Sequence, residues 1–181
     1  RCKELTMIKQ HGGIFGRNPV FNSIDASQWI GVPHNIIVGN TRQTLTGSTS
    51  ETEIETFTMP AGSMGANGWF RFRTLFSTTD NGNNKNVRIT MGGADIVNTT
   101  SGYTDEETTT RITQVWNRGA ENSQVLMGAT AAIDPSESGA ALTTTSINTA
   151  NDVVFSIKGT LADATDSIHL EAFSFEVCYI P

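Results

Sequence analysis

Period-two alternation of apolar and polar residues runs through most of this chain, and it is clearest between Met59 and Gly93. From Gly68 onward Phe70, Phe72 and Phe76 share one face of an extended segment, while Arg71 and Arg73 share the other. Val87, Ile89 and Met91 alternate in the same way. Between the two runs, Asp80, Asn81, Gly82, Asn83 and Asn84 supply turn chemistry, so the stretch predicts an antiparallel hairpin with one buried face. Pro60, Gly62, Gly65 and Gly68 mark a turn at its entry.

The pattern recurs on both sides. Glu51, Glu53 and Glu55 alternate with Thr52, Ile54 and Thr56 into Phe57, which predicts a strand carrying its carboxylates on one face. Ala94 to Val97 predicts a short strand, and Thr109 to Asn117 a longer one with Ile112, Gln114 and Trp116 together. Arg118 to Asn122 turns the chain, and Val125, Met127 and Ala129 return it. Asp152 to Lys158 aligns Val153, Phe155 and Ile157. The last strand, Ser167 to Ile180, changes phase. Ile168 and Leu170 point one way, while Phe173, Phe175, Val177 and Tyr179 point the other. A bulge near Glu171 and Ala172, or burial on both faces, reconciles the halves. Roughly eight strands at short spacing, with no long helix between them, predict an all-β fold: an antiparallel β-sandwich, jelly-roll-like.

Residues 1–50 lack this regularity. CKELTMIKQ allows a short helix through Leu5 and Ile8, too short to be stable alone. Small apolar clusters follow among breakers: Ile14-Phe15, Val20-Phe21, Trp29-Ile30 and Ile36-Ile37-Val38. Thr41 to Ser50 reads as a linker or long loop. The expected division is therefore an irregular N-terminal extension or attachment segment over 1–50, with one or two short strands, and a sandwich domain over 51–181. The clusters exceed what one sandwich is expected to absorb, so the segment is expected to pack on neighbouring subunits or on a larger body.

Composition narrows the function classes. Of 181 residues, 37% are hydrophobic and 17% charged, and Thr, Ser, Asn and Gly fill the difference, which favours strands and turns. A net charge of −6 with no Lys/Arg cluster argues against nucleic acid as a partner. No apolar run approaches the roughly 20 residues that cross a bilayer as a helix, so no membrane insertion is expected. The chain begins at Arg1 without an initiator Met or a secretory signal, so a processed chain or the distal part of a longer one is expected. Cys2 and Cys178 lie near opposite ends and read as two reduced or buried thiols rather than a disulfide framework.

No residue pattern demands a reaction. His11, His34 and His169 are scattered, and none stands at metal-ligand spacing from another. The Glu51, Glu53, Glu55 comb reads as a solvated strand face before it reads as a metal site. Asp80 to Asn86 lacks the spaced acidic ligands of a calcium loop and reads as a hairpin loop. Asp163 and Asp166 have the residue type for glycoside hydrolysis, but LADATD is also ordinary turn chemistry. No catalytic residue, metal or cofactor is assigned. Trp29, Trp69 and Trp116 are either core residues or sugar-stacking surfaces, and Trp69 is expected outward because it opposes the Phe face.

Three stretches in order carry a resemblance. MPAGSMGANGWFRFRTLFSTTDNGNNKNVRITMGG resembles a recurrent bacteriophage virion segment. Its marks are the Pro60-Ala61-Gly62 turn, Asn67-Gly68, Arg71 and Arg73 on the strand, Asn81 to Lys85, and Gly92-Gly93. VWNRGAENSQV is similar to that family's Asn-Arg-Gly turn followed by Ser-Gln, here Asn117-Arg118-Gly119 and Ser123-Gln124, and ADATDSIHLEAFSFEV resembles its closing strand. The match spans Phe57 to Val177. It implies a tail-fibre, receptor-binding or related virion domain of β-sandwich type, without enzymatic activity. A homotrimer beside other virion proteins, touching a host-surface glycan or protein, is the implied setting. A head-decoration or head-fibre protein is the alternative in that class; a carbohydrate-binding module or carbohydrate-active enzyme is the alternative outside it. The matched positions are turn and packing residues, so no site residue is carried over. Loops are the expected contact elements on a rigid sandwich. The candidates are Asp80 to Asn84, Ser101 to Glu107 and Pro135 to Gly139, with Asp80, Asn81, Asn83, Asn84, Tyr103, Asp105, Ser136 and Glu137 foremost.

Overall fold

A computed structural model describes residues 30–31, 33–99, 108–127 and 142–181. Among these residues there are eleven strands and no helix. They are β1 (His34–Gly39), β2 (Gln43–Thr46), β3 (Thr52–Met59), β4 (Trp69–Thr78), β5 (Lys85–Met91), β6 (Ala94–Asn98), β7 (Thr108–Asn117), β8 (Gln124–Met127), β9 (Leu142–Thr145), β10 (Val153–Leu161) and β11 (Ser167–Cys178). A seven-stranded sheet has the order β1-β11-β4-β7-β8-β9, with β2 also paired to β11, and a four-stranded sheet has the order β3-β10-β5-β6. With β1 and β2 counted as one interrupted strand, β1/β2-β11-β4-β7 packs over β3-β10-β5-β6, which is jelly-roll connectivity. The β8–β9 hairpin is an addition that widens the larger sheet.

The expected Phe70–Met91 hairpin does not form. β4 pairs with β11 and β7, whereas β5 pairs with β10 and β6, so residues 79–84 arch from one sheet to the other. The apolar rows explain the difference. An arch brings Phe70, Phe72 and Phe76 face to face with Val87, Ile89 and Met91 across the core, where all six are at most 1% exposed. A hairpin would lay the same rows side by side and leave both to be covered.

The core is dense in aromatic rings. Phe155 of β10 stacks on Phe57 at 5.1 Å and meets Phe175 of β11 edge-on at 4.9 Å and Phe70 of β4 edge-on at 5.2 Å. These contacts join the two sheets directly. Gly159 sits on the inner face of β10, where a Cβ would come within 2.7 Å of Leu45 and 3.0 Å of Ile168. The expected bulge in the last strand is present: the register of β11 on β4 shifts between Leu170 and Ala172. It lets Ile168 and Leu170 join Phe173, Phe175 and Val177 on the buried side.

The described strands within residues 1–50 belong to the sandwich itself. Both β1 and β2 pair antiparallel with β11, Leu45 is 5% exposed in the core, and Ile36 and Ile37 pack against it. The polar stretch Thr41 to Ser50, read as a linker or loop, thus contains β2, because one apolar side chain in QTLT is enough when β11 offers an edge. The clusters at Ile14-Phe15 and Val20-Phe21, together with Trp29 and Cys2, lie outside the described residues. Cys178 is a free buried thiol, and burial pushes its pKa up.

The sandwich has two distinct ends. At one, here the loop end, Ile168 of β11 lies opposite Thr78 of β4 and Ser77 lies opposite Thr108, the first residue of β7. At the other, the base, Cys178 lies opposite Trp69. The chain enters β1 from the base: Gly31 N–H donates to the Tyr179 carbonyl at 2.8 Å, and Ile30 bridges Tyr179.

Candidate contact surfaces

At the loop end the 79–84 arch leans on the 162–166 connection through a buried polar cluster. Lys85 opens β5 in phase with Val87 and Ile89, so its side chain points inward and is 0% exposed. Its ammonium donates to Asn81 Oδ1 at 2.6 Å. The Asn81 amide nitrogen in turn donates to the carboxylate of Asp166, also 0% exposed. The Asp166 carbonyl accepts from the Thr46 hydroxyl at 3.0 Å, and its N–H donates to the Asp163 carbonyl at 3.1 Å. Asn81 therefore links a buried ammonium to a buried carboxylate, groups that are costly to bury without partners.

This divides the first candidate loop by role. Asn81 is turned toward the cluster, and its Oδ1 also accepts from Asn83 N–H at 3.2 Å. Asn84 receives Ala162 N–H on its carbonyl at 3.0 Å, while the residue itself is exposed, as is Asp80. Asn81 is exposed as well, so Asp80 and Asn84 are the exposed side chains of this loop that the cluster does not hold. Tyr103, Asp105, Ser136 and Glu137 lie outside the described residues. Their flanks are placed. Thr108 begins β7 at the loop end, and β8 runs antiparallel to β7, away from the base, before the chain returns where Met127 pairs with Leu142.

The carboxylates singled out from sequence are also placed. Asp163 accepts from Thr165 N–H at 2.8 Å and from its hydroxyl at 2.7 Å, which holds the Asp163 carboxyl below its usual range. With Asp166 buried, the two acids close a turn and share no solvent-facing site. The Glu51, Glu53, Glu55 comb does not keep to one face. A register shift between Ile157 and Lys158 puts Glu53 opposite Lys158 on the outer side and Glu55 opposite core residue Ile157. Glu55 lines a cleft of about 330 Å³ between β1 and β3, in which it is the sole titratable residue. His169 is a sheet-face residue held by the Thr44 and Ser167 hydroxyls at 2.9 and 3.1 Å. Among the described residues, no group of three or more His, Cys, Asp or Glu is arranged to hold a metal.

The outer face of the seven-stranded sheet carries a second surface. Register places Trp69 directly beside Trp116, followed by Val125. The next row is Glu176, Arg71, Gln114, and the next is Val38, Ser174, Arg73, Ile112. Beyond it come Ala172, Leu75 and Thr110. Arg71 Nε donates to Glu176 at 2.9 Å, and the guanidinium lies 5.9 Å from the Trp69 ring centre. Val38 is 61% exposed, and Leu75 and Trp116 are 39% exposed. Alternation had placed Trp69 outward and had put Ile112 and Trp116 on one face without saying which. It could not show Val38 in the same field, since that follows from β1 pairing with β11.

The comparisons add no relative: no protein-family model matches the chain, and no curated protein matches it.

Proposed function

We propose that this chain is a bacteriophage virion structural domain of the tail-fibre or tail-tip kind, acting without catalysis and assembled as a homotrimer. In this reading it meets the host surface, glycan or protein, with its loop end. The phage class rests on the resemblance of the three stretches between Phe57 and Val177. The observation that best supports the attachment role is the opposition of the two ends. The chain enters β1 at the base through Gly31 and Tyr179, whereas the 79–84 arch and the start of β7 lie at the far end of the sheet. A domain tethered at one end and presenting loops at the other suits a tip.

Two measurements test the proposal. Antibody labelling of particles should mark the tail; labelling of the capsid would favour the head-decoration alternative. Replacing Asp80, Asn84, Tyr103, Asp105, Ser136 and Glu137 with alanine should lower adsorption at least tenfold with the fold retained. Asn81 is left out because it supports Lys85 and Asp166. Adsorption that persists at the parental rate would remove the loop end from host contact.

A further inference from the structure

We infer that the outer face of the seven-stranded sheet is the surface on which copies of this chain meet one another. The inference rests on the homomeric reading above and gives it a location. Across β1, β11, β4, β7 and β8 the outward positions include Val38, Leu75, Ile112 and the adjacent Trp69 and Trp116. Leu142 on β9 is 63% exposed at the edge of the same sheet. These side chains are interspersed with Glu176, Arg71, Gln114, Ser174 and Arg73, and large apolar side chains grouped on one outer face mark a contact surface rather than a water-facing one.

Size and composition favour a second copy as the occupant. β1, β11, β4, β7 and β8 hold 6, 12, 10, 10 and 4 residues, which at about 3.3 Å per residue and about 4.8 Å between strands span roughly 650–700 Å². That is close to the approximately 800 Å² each partner contributes to a standard protein interface, and more than one sugar ring or short peptide covers. Tryptophan and arginine are the residues that dominate such interfaces when desolvated. The polar groups are also disposed for it. Arg71 is already neutralised by Glu176, so covering it strands no charge. Gln114 and Arg73 make no side-chain hydrogen bond among the described residues and are available to acceptors on a neighbour. A self-meeting surface explains why one sheet of a chain rich in Thr and Ser keeps large apolar side chains outside.

Sedimentation of the full-length chain tests this. The parent should sediment as an oligomer. Leu75→Glu and Trp116→Glu should each weaken association at least tenfold, and Val154→Glu on the opposite sheet should not. Leu75→Met and Trp116→Phe should restore association, which separates loss of the interface from loss of the fold. In a Trp29→Phe background, acrylamide quenching of the remaining tryptophans should fall as concentration rises through the association range. A parent that stays monomeric would overturn both the homomeric reading and this surface. An oligomer unmoved by both glutamates, or tryptophans equally quenched at all concentrations, would overturn the surface alone. A monomer whose tryptophan emission shifts with added polysaccharide would make the face a sugar platform instead.

Discussion

The two outer faces of this sandwich solve the same problem in different ways. Both belong to sheets whose inner faces are apolar, and both arise from the same period-two chain. On the four-stranded sheet the outward positions close upon one another. Arg88 lies 2.6 Å from Asp95 and 3.1 Å from Glu51, Glu51 also lies 3.5 Å from Lys158, and Ser156 donates to Glu53 at 2.6 Å. The Asp95 hydrogen bond, with help from Glu51, raises the Arg88 pKa further. Val154, at 52%, is the one large apolar side chain exposed on a described strand of that sheet. On the seven-stranded sheet Arg42 and Glu171 pair near the start of β2, and toward the base the ion pair of Arg71 with Glu176 sits among tryptophan, leucine, isoleucine and valine. A face whose charges are satisfied internally is complete in water. A face built of large apolar side chains is complete only when covered, and that difference, rather than any cleft, distinguishes the molecule's two sides.

The comparison presupposes that both faces hang on one core, and the largest effect comes from breaking that. Phe155→Ala removes a ring that touches Phe57, Phe70 and Phe175, and should cost about 3–5 kcal/mol. In a Trp29→Phe background, urea unfolding should remain a single transition, read identically by emission of Trp69 and Trp116 from the seven-stranded sheet and by far-ultraviolet dichroism from the whole chain. Two separated transitions would show that the sheets are independent and that the faces cannot be compared as parts of one body.

Much of that core was legible in the chain. Phe70, Phe72 and Phe76 alternate with arginines, and Val153, Phe155 and Ile157 alternate with polar residues, so the buried rows follow from the pleat. The bulge at Glu171 was legible because the apolar phase flips there. What alternation lacks is any information about which edge a strand joins. An arch and a hairpin use the same turn residues, so β4 and β5 read as neighbours although they lie in different sheets. β2 was invisible because Leu45 is its sole apolar side chain, and the tie of exposed Asn81 to Asp166 was invisible because its partner is 85 positions away. The pairing of Trp69 with Trp116 depends on cross-strand register, which single-strand patterns do not contain.

A smaller effect sharpens the comparison through charge. Arg71 and Glu176 are 28% and 21% exposed, against 35% and 39% for Arg88 and Glu51. Double-mutant cycles should give a coupling of about 1 kcal/mol for the first pair and about 0.5 kcal/mol or less for the second. The first coupling should grow with protein concentration as the surrounding face is covered, and the second should not. Equal values at all concentrations would mean that water reaches both pairs alike.

Acid offers a related test. Arg42 first, and then the Ser77 hydroxyl, hold the Glu171 carboxyl below its usual range, and the three groups join the start of β2 to β4 and β11. A carboxyl depressed in the folded state stabilises fully above its unfolded pKa, near about 4.3. That contribution is lost as pH falls through the lower folded value. Urea midpoints measured from pH 6 downward should therefore decline less steeply in Glu171→Gln than in the parent. Parallel declines would show that the bulge carboxylate does not contribute to acid sensitivity.

The smallest expected effect concerns Val154, the exception on the otherwise polar face. It lies opposite Thr58 on β3, and its neighbours along β10, Val153 and Phe155, are both core residues. Its outward phase leaves it half exposed, so Val154→Thr removes little buried apolar surface and introduces a hydroxyl that water can reach. Threonine keeps the branching at Cβ, so the strand's conformational preference is also retained. Stability should stay within about 0.5 kcal/mol of the parent, as surface substitutions generally do, and sedimentation should not change. Leu75→Thr, an apolar residue replaced on the other sheet, should by contrast weaken association. A Val154 variant that loses the oligomer would mean that the four-stranded face is the covered one, and would reverse the assignment of the two sides.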